Sequence, residues 1–221
     1  LRSVEGLAVI GDRAFVADRE GDAVVVCDLS PNLASRDEKL HVLKKIPVKR
    51  PGRIRPCGPD RLACVSKTGV VLIDTKTFET KTLVDGLANP LGLAVDGSGR
   101  LYVGEMEPSH QVKVFSPQGK LLRTVGKPGR HRIGRFDPDN LESPAGLEVA
   151  ARGRLWVCEA SMNLKRTSVW DERGRCVNDV IGPPEYGGSG GGDIDPADEN
   201  RFFYRGLEFR RDPKTGAHGS V

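Results

Sequence analysis

GLAVDGSGRLYVGE, residues Gly92–Glu105, decides how the chain is read. Leu93, Val95, Leu101 and Val103 carry the apolar side of a period-2 alternation, and Gly97-Ser98-Gly99 interrupts it. Alternation of this kind puts successive side chains on opposite faces of a strand, and a glycine-rich break between two such runs marks a tight β-hairpin. The phrase recurs as GLAVIGDRAFVAD (Gly6–Asp18), GLEVAARGRLWVCE (Gly146–Glu159) and GGDIDPADENRFFYRG (Gly191–Gly206), with a degenerate copy, RIRPCGPDRLACVS, at Arg53–Ser66. Aligned on the turn, Arg13, Arg61, Arg100, Arg154 and Arg201 are equivalent, each just ahead of a second strand, at intervals of 48, 39, 54 and 47 residues.

Recurrence of short-strand units at roughly 40–50 residues points to a β-propeller or a related array. The remainder of each unit fits a four-stranded antiparallel blade. QVKVFSPQGKLLRTVG (Gln111–Gly126) and TSVWDERGRCVNDVIG (Thr167–Gly182) each read as strand, turn and strand, and AVVVCDLSP and VVLIDTKTFETKTLV serve the first two units. Gly6–Val9, Gly92–Asp96, Gly146–Val149 and Gly191–Asp195 are expected as the innermost strands. No segment sustains a 3.6-residue apolar stripe, so the class is all-β; Ala34–Val42 is the one doubtful stretch and is too polar for a packed helix. Phe15, Tyr102, Trp156 and Phe203 share one repeat position and are expected to pack between blades.

Composition bounds the function loosely. The chain has 221 residues, 38% hydrophobic and 29% charged, with 27 Gly, 15 Pro and a net charge of +4, which describes a turn-rich protein without a polyanion-binding bias. No apolar run is long enough for a membrane-spanning helix. The basic run RTVGKPGRHRIGR (Arg123–Arg135) lacks interleaved aromatics for base stacking, so nucleic acid is disfavoured as a partner. Cys27, Cys57, Cys64, Cys158 and Cys176 are odd in number and show no CxxC pair; they read as small apolar strand residues, with a Cys57–Cys64 disulfide as the alternative. His41, His110, His131 and His218 show no metal-ligand spacing, and neither a Gly-x-Ser-x-Gly elbow nor a phosphate-binding loop is present. The run YGGSGGGD (Tyr186–Asp193) reads as backbone freedom near a crowded axis, or as room for a ligand at the channel mouth.

NPLGLAVDGSGRLYVGE followed by HQVKVFSPQGKLLRTVG resembles an NHL repeat. Pro90, Gly92, Ala94, Val95, Asp96, Gly99, Tyr102, Val114, Phe115 and Gly119 stand at the family's pattern positions. The unit from Pro144 resembles it too, with Glu148, Ala150 and Trp170 as departures, and GRFDPDNLESPAGL resembles the family's entry segment. The resemblance implies a six-bladed propeller, which needs roughly 250–290 residues at this spacing. We therefore expect about four and a half blades here, near residues 1–46, 47–87, 88–140, 141–185 and a partial 186–221, in an excerpt of a larger protein whose missing blades complete the domain. The expected location is extracytoplasmic or secreted.

The candidate site is a set of acids. Asp18, Glu105 and Glu159 occupy one repeat position, directly after the second strand, which in a propeller lies on the face carrying the loops between blades. The family implies a structural role for an acid there, with the carboxylate accepting backbone N–H bonds. The functional reading places Asn163, Lys165 and Arg166 on the margin of a ligand or partner face, and assigns Glu105 and Glu159 to a divalent cation such as calcium. Two functions compete. The first is a binding scaffold for a protein, glycan or small molecule; the second is a metal-dependent hydrolase, since the units are also similar to gluconolactonase and regucalcin-like propellers. The Glu, Asn and Asp set of those enzymes has no residue-by-residue match here, so binding is preferred and no catalytic residue is assigned. A zinc-dependent lyase is disfavoured by the scarcity of histidine.

Overall fold

The computed structural model describes residues 1–30, 41–131, 137–150, 152–161, 165–182, 192–204, 207–214 and 218–220. Among them the regular structure is all β, in five four-stranded sheets whose strand order follows the chain. The first holds β1 (Val4–Ile10), β2 (Arg13–Asp18), β3 (Ala23–Asp28) and β4 (His41–Pro47); the second holds β5 (Ile54–Pro56), β6 (Arg61–Val65), β7 (Val70–Asp74) and β8 (Thr80–Val84). Next come β9 (Pro90–Val95), β10 (Leu101–Glu105), β11 (Val112–Phe115) and β12 (Leu121–Val125), then β13 (Pro144–Val149), β14 (Leu155–Glu159), β15 (Lys165–Trp170) and β16 (Cys176–Gly182). The fifth holds β17 (Gly192–Asp195), β18 (Asp198–Tyr204), β19 (Leu207–Arg211) and β20 (His218–Ser220). Where the sequence reading takes this unit as the start of a blade, LEFRR, with Leu207 and Phe209 alternating with Glu208 and Arg210, pairs as β19, and β20 completes four strands. Of the doubtful stretch, residues 41 and 42 begin β4 and residues 31–40 lie outside the described set.

The chain divides into two compact units, Leu1–Pro90 and Leu91–Val221. In the first, β1 lies against β5. The shared core takes Ala8, Phe15, Ala17, Val24, Val26 and Ile46 from one sheet and Ile54, Leu62, Cys64 and Ile73 from the other. The aromatic at the repeat position, Phe15, is wholly buried there. The approach of the sheets is set by main chain: a Cβ on Gly6 would collide with the Gly52 carbonyl.

In the second unit β13 packs on β10 and β17 on β13. Ala94, Tyr102, Val112, Val114 and Val125 meet Leu141, Leu147, Leu155, Val157 and Trp170 between the third and fourth sheets. Ala150, Trp156 and Val169 meet Ile194 between the fourth and fifth. Tyr102 and Trp156 thus sit in sheet–sheet cores, as their repeat position requires. Phe203 pairs in register with Asp193, as Trp156 does with Glu148; its side chain lies outside the described set. All five cysteines are free thiols. Cys64 is fully buried, and burial pushes its thiol up to about 12.

Candidate functional site

The second strands β2, β10 and β14 each end in an acid at the turn that follows, and the local sequence decides what that acid meets. In the first unit Asp18 ends β2, and the segment ahead of β1 folds back over it. Its Oδ1 accepts the backbone N–H groups of Arg2 at 2.9 Å, Ser3 at 3.0 Å and Gly21 at 3.3 Å. These bonds, Ser3 first and Arg2 next, hold its carboxyl below the usual carboxylate range. A Cβ on Gly21 would overlap that carboxylate. Asp18 is therefore the clasp of its loop.

In the second unit Glu105 ends β10 and is 2% exposed. Its Oε2 accepts a bond from the Ser109 hydroxyl and pairs with Lys113 Nζ at 2.6 Å. The turn it closes runs from Met106 to His110, tied by the His110 N–H to the Met106 carbonyl at 3.0 Å. Glu159, at the end of β14, has no solvent exposure. Its Oε2 accepts the Glu142 N–H at 2.9 Å and lies 3.3 Å from His131 Nε2, while its Oε1 faces Arg166 NH1 at 3.3 Å.

Arg166, expected on the margin of a ligand site, is a buried tie between elements. Its Nε reaches Asp179 at 3.0 Å, NH1 donates to the Asn140 carbonyl at 2.8 Å, and NH2 donates to the Pro138 carbonyl at 2.6 Å and to Cys176 Sγ at 3.2 Å. A guanidinium is the side chain suited to this, having five donors in a fixed fork and a charge it does not lose. Lys165 is half-buried opposite Gly182 at the start of β15. Asn163 lies outside the described residues, as do residues 132–136 of the basic run and 186–191 of the glycine run. The partners named for Glu105 and for Glu159 are different groups, so each carboxylate serves its own loop. Among the described residues no group of three or more His, Cys, Asp or Glu side chains is placed to hold a metal ion.

One feature of this end of the second unit has no signature in the sequence. His110 and Ser143 are both left-handed, with φ of 50° and 54°, and both are buried. The Ser143 N–H donates to His110 Nδ1 at 3.2 Å, which places the proton of the neutral ring on Nε2. Left-handed backbone at residues other than glycine costs roughly 1–3 kcal/mol and persists only where the surroundings enforce it. The Ala160 N–H to Ser143 carbonyl bond, 2.9 Å, supplies part of that enforcement.

At the opposite ends of the hairpins the repeat arginines are local. Arg100 pairs with Asp96 at 2.6 Å and Arg201 with Asp195 at 3.1 Å; Arg154 reaches Glu199 of the next sheet at 3.7 Å. Arg13 donates to the Thr75 carbonyl at 3.1 Å and lies over the Phe78 ring.

Residues 87–115 match the family model described as NHL repeat. A chain of Kuenenia stuttgartiensis hydrazine synthase is similar in structure, with a TM-score of 0.69 and 16% identity over 97% of this chain and 57% of that one. The chain thus spans little more than half the length of that relative. A chain in a crystal structure of a nidogen/laminin complex is also similar, with a TM-score of 0.73 and 15% identity over all of this chain and 80% of that one. At these identities the likeness establishes the fold, an all-β propeller type built of four-stranded antiparallel sheets. No curated protein matches by sequence.

Proposed function

We propose that this protein is a binding scaffold that engages a protein partner through the loops leaving its second strands. The observation that carries the reading is the use made of Asp18, Glu105 and Glu159. All three carboxylates are buried and are spent on backbone N–H groups, on Lys113 of β11 and on Arg166 of β15, which anchor the loops to neighbouring strands. Interior bonds of this kind fix loop shape before a partner arrives, which lowers the ordering cost of association. They leave outward residues such as Glu20, Lys67, Glu107 and Pro108, all exposed, to make contact. The nidogen/laminin complex gives precedent for a similar propeller chain in a protein assembly. The hydrolase reading asks the same carboxylates to hold a cation instead.

The test compares two faces. Wild-type protein and two variants of the second unit, Glu107→Lys on the loop after β10 and Ser98→Lys on the hairpin turn, are immobilised and offered the same protein mixture. A partner retained by wild type and Ser98→Lys but lost by the loop variant supports the scaffold. Loss with Ser98→Lys alone moves the interface to the other face. A calcium chloride titration followed by thermal unfolding reads the alternative, because a cation bound to the folded state alone raises Tm with its concentration. A rise in Tm that Glu105→Gln with Glu159→Gln abolishes, together with hydrolysis of an aldonolactone, would replace the scaffold by the metal-dependent hydrolase.

A further inference from the structure

The first sheet carries a charged surface that begins on its outer strand and meets the loop face at Asp22 and Lys67. KKIPVKRPGRIR, residues Lys44–Arg55, holds six cations and no acid in twelve residues. It begins in β4, the last strand of its sheet, and among the described residues no strand pairs the outer edge of β4. His41 to Lys45 are five consecutive exposed residues, a pattern no half-buried strand gives. As the outermost strand of its sheet β4 is uncovered on both faces over this stretch, and a register shift opposite Val26 and Cys27 makes Leu43 the extra residue of a bulge, with Val42 and Leu43 exposed at 47% and 41%. Lys44 and Lys45 follow directly, opposite Val26 and Val25.

The loop after β4 extends the cationic surface and is held rigidly. Asp22 and Arg50 are both left-handed, with φ of 49° and 45°, and are bonded to each other. Asp22 Oδ1 accepts the Arg50 N–H at 2.8 Å, and its Oδ2 pairs with Lys49 Nζ at 3.0 Å. The Lys49 side chain nevertheless stays 79% exposed. The Val48 N–H donates to the Asp22 carbonyl, the Lys67 N–H to the Lys49 carbonyl, and the Gly52 N–H to the Val65 carbonyl. One carboxylate thus fixes the main chain that presents Arg50, while Lys44, Lys45 and Arg50 stand in solvent.

We infer that β4 and the loop after it form a docking surface for an extended acidic peptide with interspersed apolar side chains. The cations select negative charge, and Lys44 and Lys45 at an open edge repel a second copy of the same strand. Val42 and Leu43 offer apolar contact, and the open edge offers main-chain donors and acceptors that a peptide can meet. A nucleic acid uses neither feature, and residues 41–56 contain no Phe, Tyr or Trp on which bases could stack.

The test uses the whole chain and fluorescence anisotropy with three labelled probes: an eight-residue peptide alternating Glu and Val, its Gln-for-Glu analogue, and a heparin octasaccharide. The acidic peptide binds at least about tenfold more tightly than the Gln analogue, and the difference shrinks at molar salt. Lys44→Glu with Lys45→Glu lowers its affinity by about tenfold or more and gives affinity for a Lys/Val peptide instead. Val42→Thr with Leu43→Thr weakens the acidic peptide about threefold or more and leaves heparin unchanged. All four positions are exposed, and unchanged Tm of the variants confirms folding. Equal binding of the acidic and Gln peptides, or no binding of either, overturns the proposal. Heparin binding more tightly than the peptide and insensitive to Val42→Thr with Leu43→Thr replaces it with a general polyanion surface.

Discussion

Replacing Arg166 with Met keeps most of the side-chain volume and removes the fork. The consequence follows from the partners left behind. Glu159, without solvent exposure, loses its cation; Asp179 loses a 3.0 Å bond; the Asn140 and Pro138 carbonyls lose donors at 2.8 and 2.6 Å. Each unsatisfied buried group costs roughly 1–3 kcal/mol, yet such costs do not add, because the loop relaxes and water enters. Removing one partner of a buried ion pair is the better guide and gives about 3–5 kcal/mol. For a chain of this size that is a fall in Tm of about 6–20 °C. Arg166→Lys keeps the charge but not the geometry, and is expected between wild type and Arg166→Met. Urea unfolding followed by tryptophan fluorescence measures both, since Trp156 and Trp170 lie in cores of the same sheet. A loss below about 1 kcal/mol for Arg166→Met would falsify the assignment of Arg166 as an interior tie and return it to the surface.

Trp156→Ala is expected to cost about 3–5 kcal/mol by emptying the core between the fourth and fifth sheets, measured in the same unfolding assay. Arg100→Gln breaks a partly buried pair whose Asp96 side chain is 6% exposed, and should cost about 1–3 kcal/mol while leaving partner binding as it was; lost binding would put the interface on the hairpin-turn face. Acid should unfold the protein through its turn aspartates. At Asp96 the bonds from Ser98 and Arg100 outweigh the upward push of burial; at Asp18 and Asp195 backbone N–H groups lead. All three are held below the usual range. A carboxyl lowered on folding stabilises above its unfolded value near about 3.9, and that contribution disappears as pH falls through the folded value. Tm should therefore be insensitive to these groups above about pH 5 and fall below about pH 4; a Tm unchanged down to pH 2 would contradict these bonds. Cys64 should resist iodoacetamide at pH 8 in the folded protein and react fully in urea, because burial holds it as the thiol.

What could be read from the sequence was local. The hairpins were legible because alternation and a glycine turn lie within about fourteen residues, and the aromatic position because Phe15, Tyr102 and Trp156 stand at one offset from a repeated arginine. A structural acid at Asp18 was legible only in part: Gly21 is a local donor of the kind a turn supplies, but the leading donors, Ser3 and Arg2, stand 15 and 16 residues away. Arg166 was not. Two of its acceptors are carbonyls of Pro138 and Asn140, and a carbonyl is the same in every residue type, so the partner leaves no trace in the letters. The bond between His110 and Ser143 was hidden for the same reason, its donor being a backbone N–H 33 residues away. The basic stretch at Lys44–Arg55 was present in the sequence, but its exposure depends on β4 being the outermost strand of its sheet, which composition does not encode.

The junction of the third and fourth sheets has one further consequence. The Pro144 carbonyl is wedged between Gly92 and Gly104: a methyl on Gly92 would stand 2.7 Å from it, and one on Gly104 would overlap it. Both partners in that contact are main chain, so no neighbouring residue can shrink to accommodate a change at either glycine. Elsewhere at the junction a lost methylene can be recovered by a larger side chain across the seam. Drift in the chain is thus expected to be permissive along the apolar faces and abruptly intolerant at two points, and a library of random substitutions should return second-site suppressors for Leu147 or Val157 but none for Gly104.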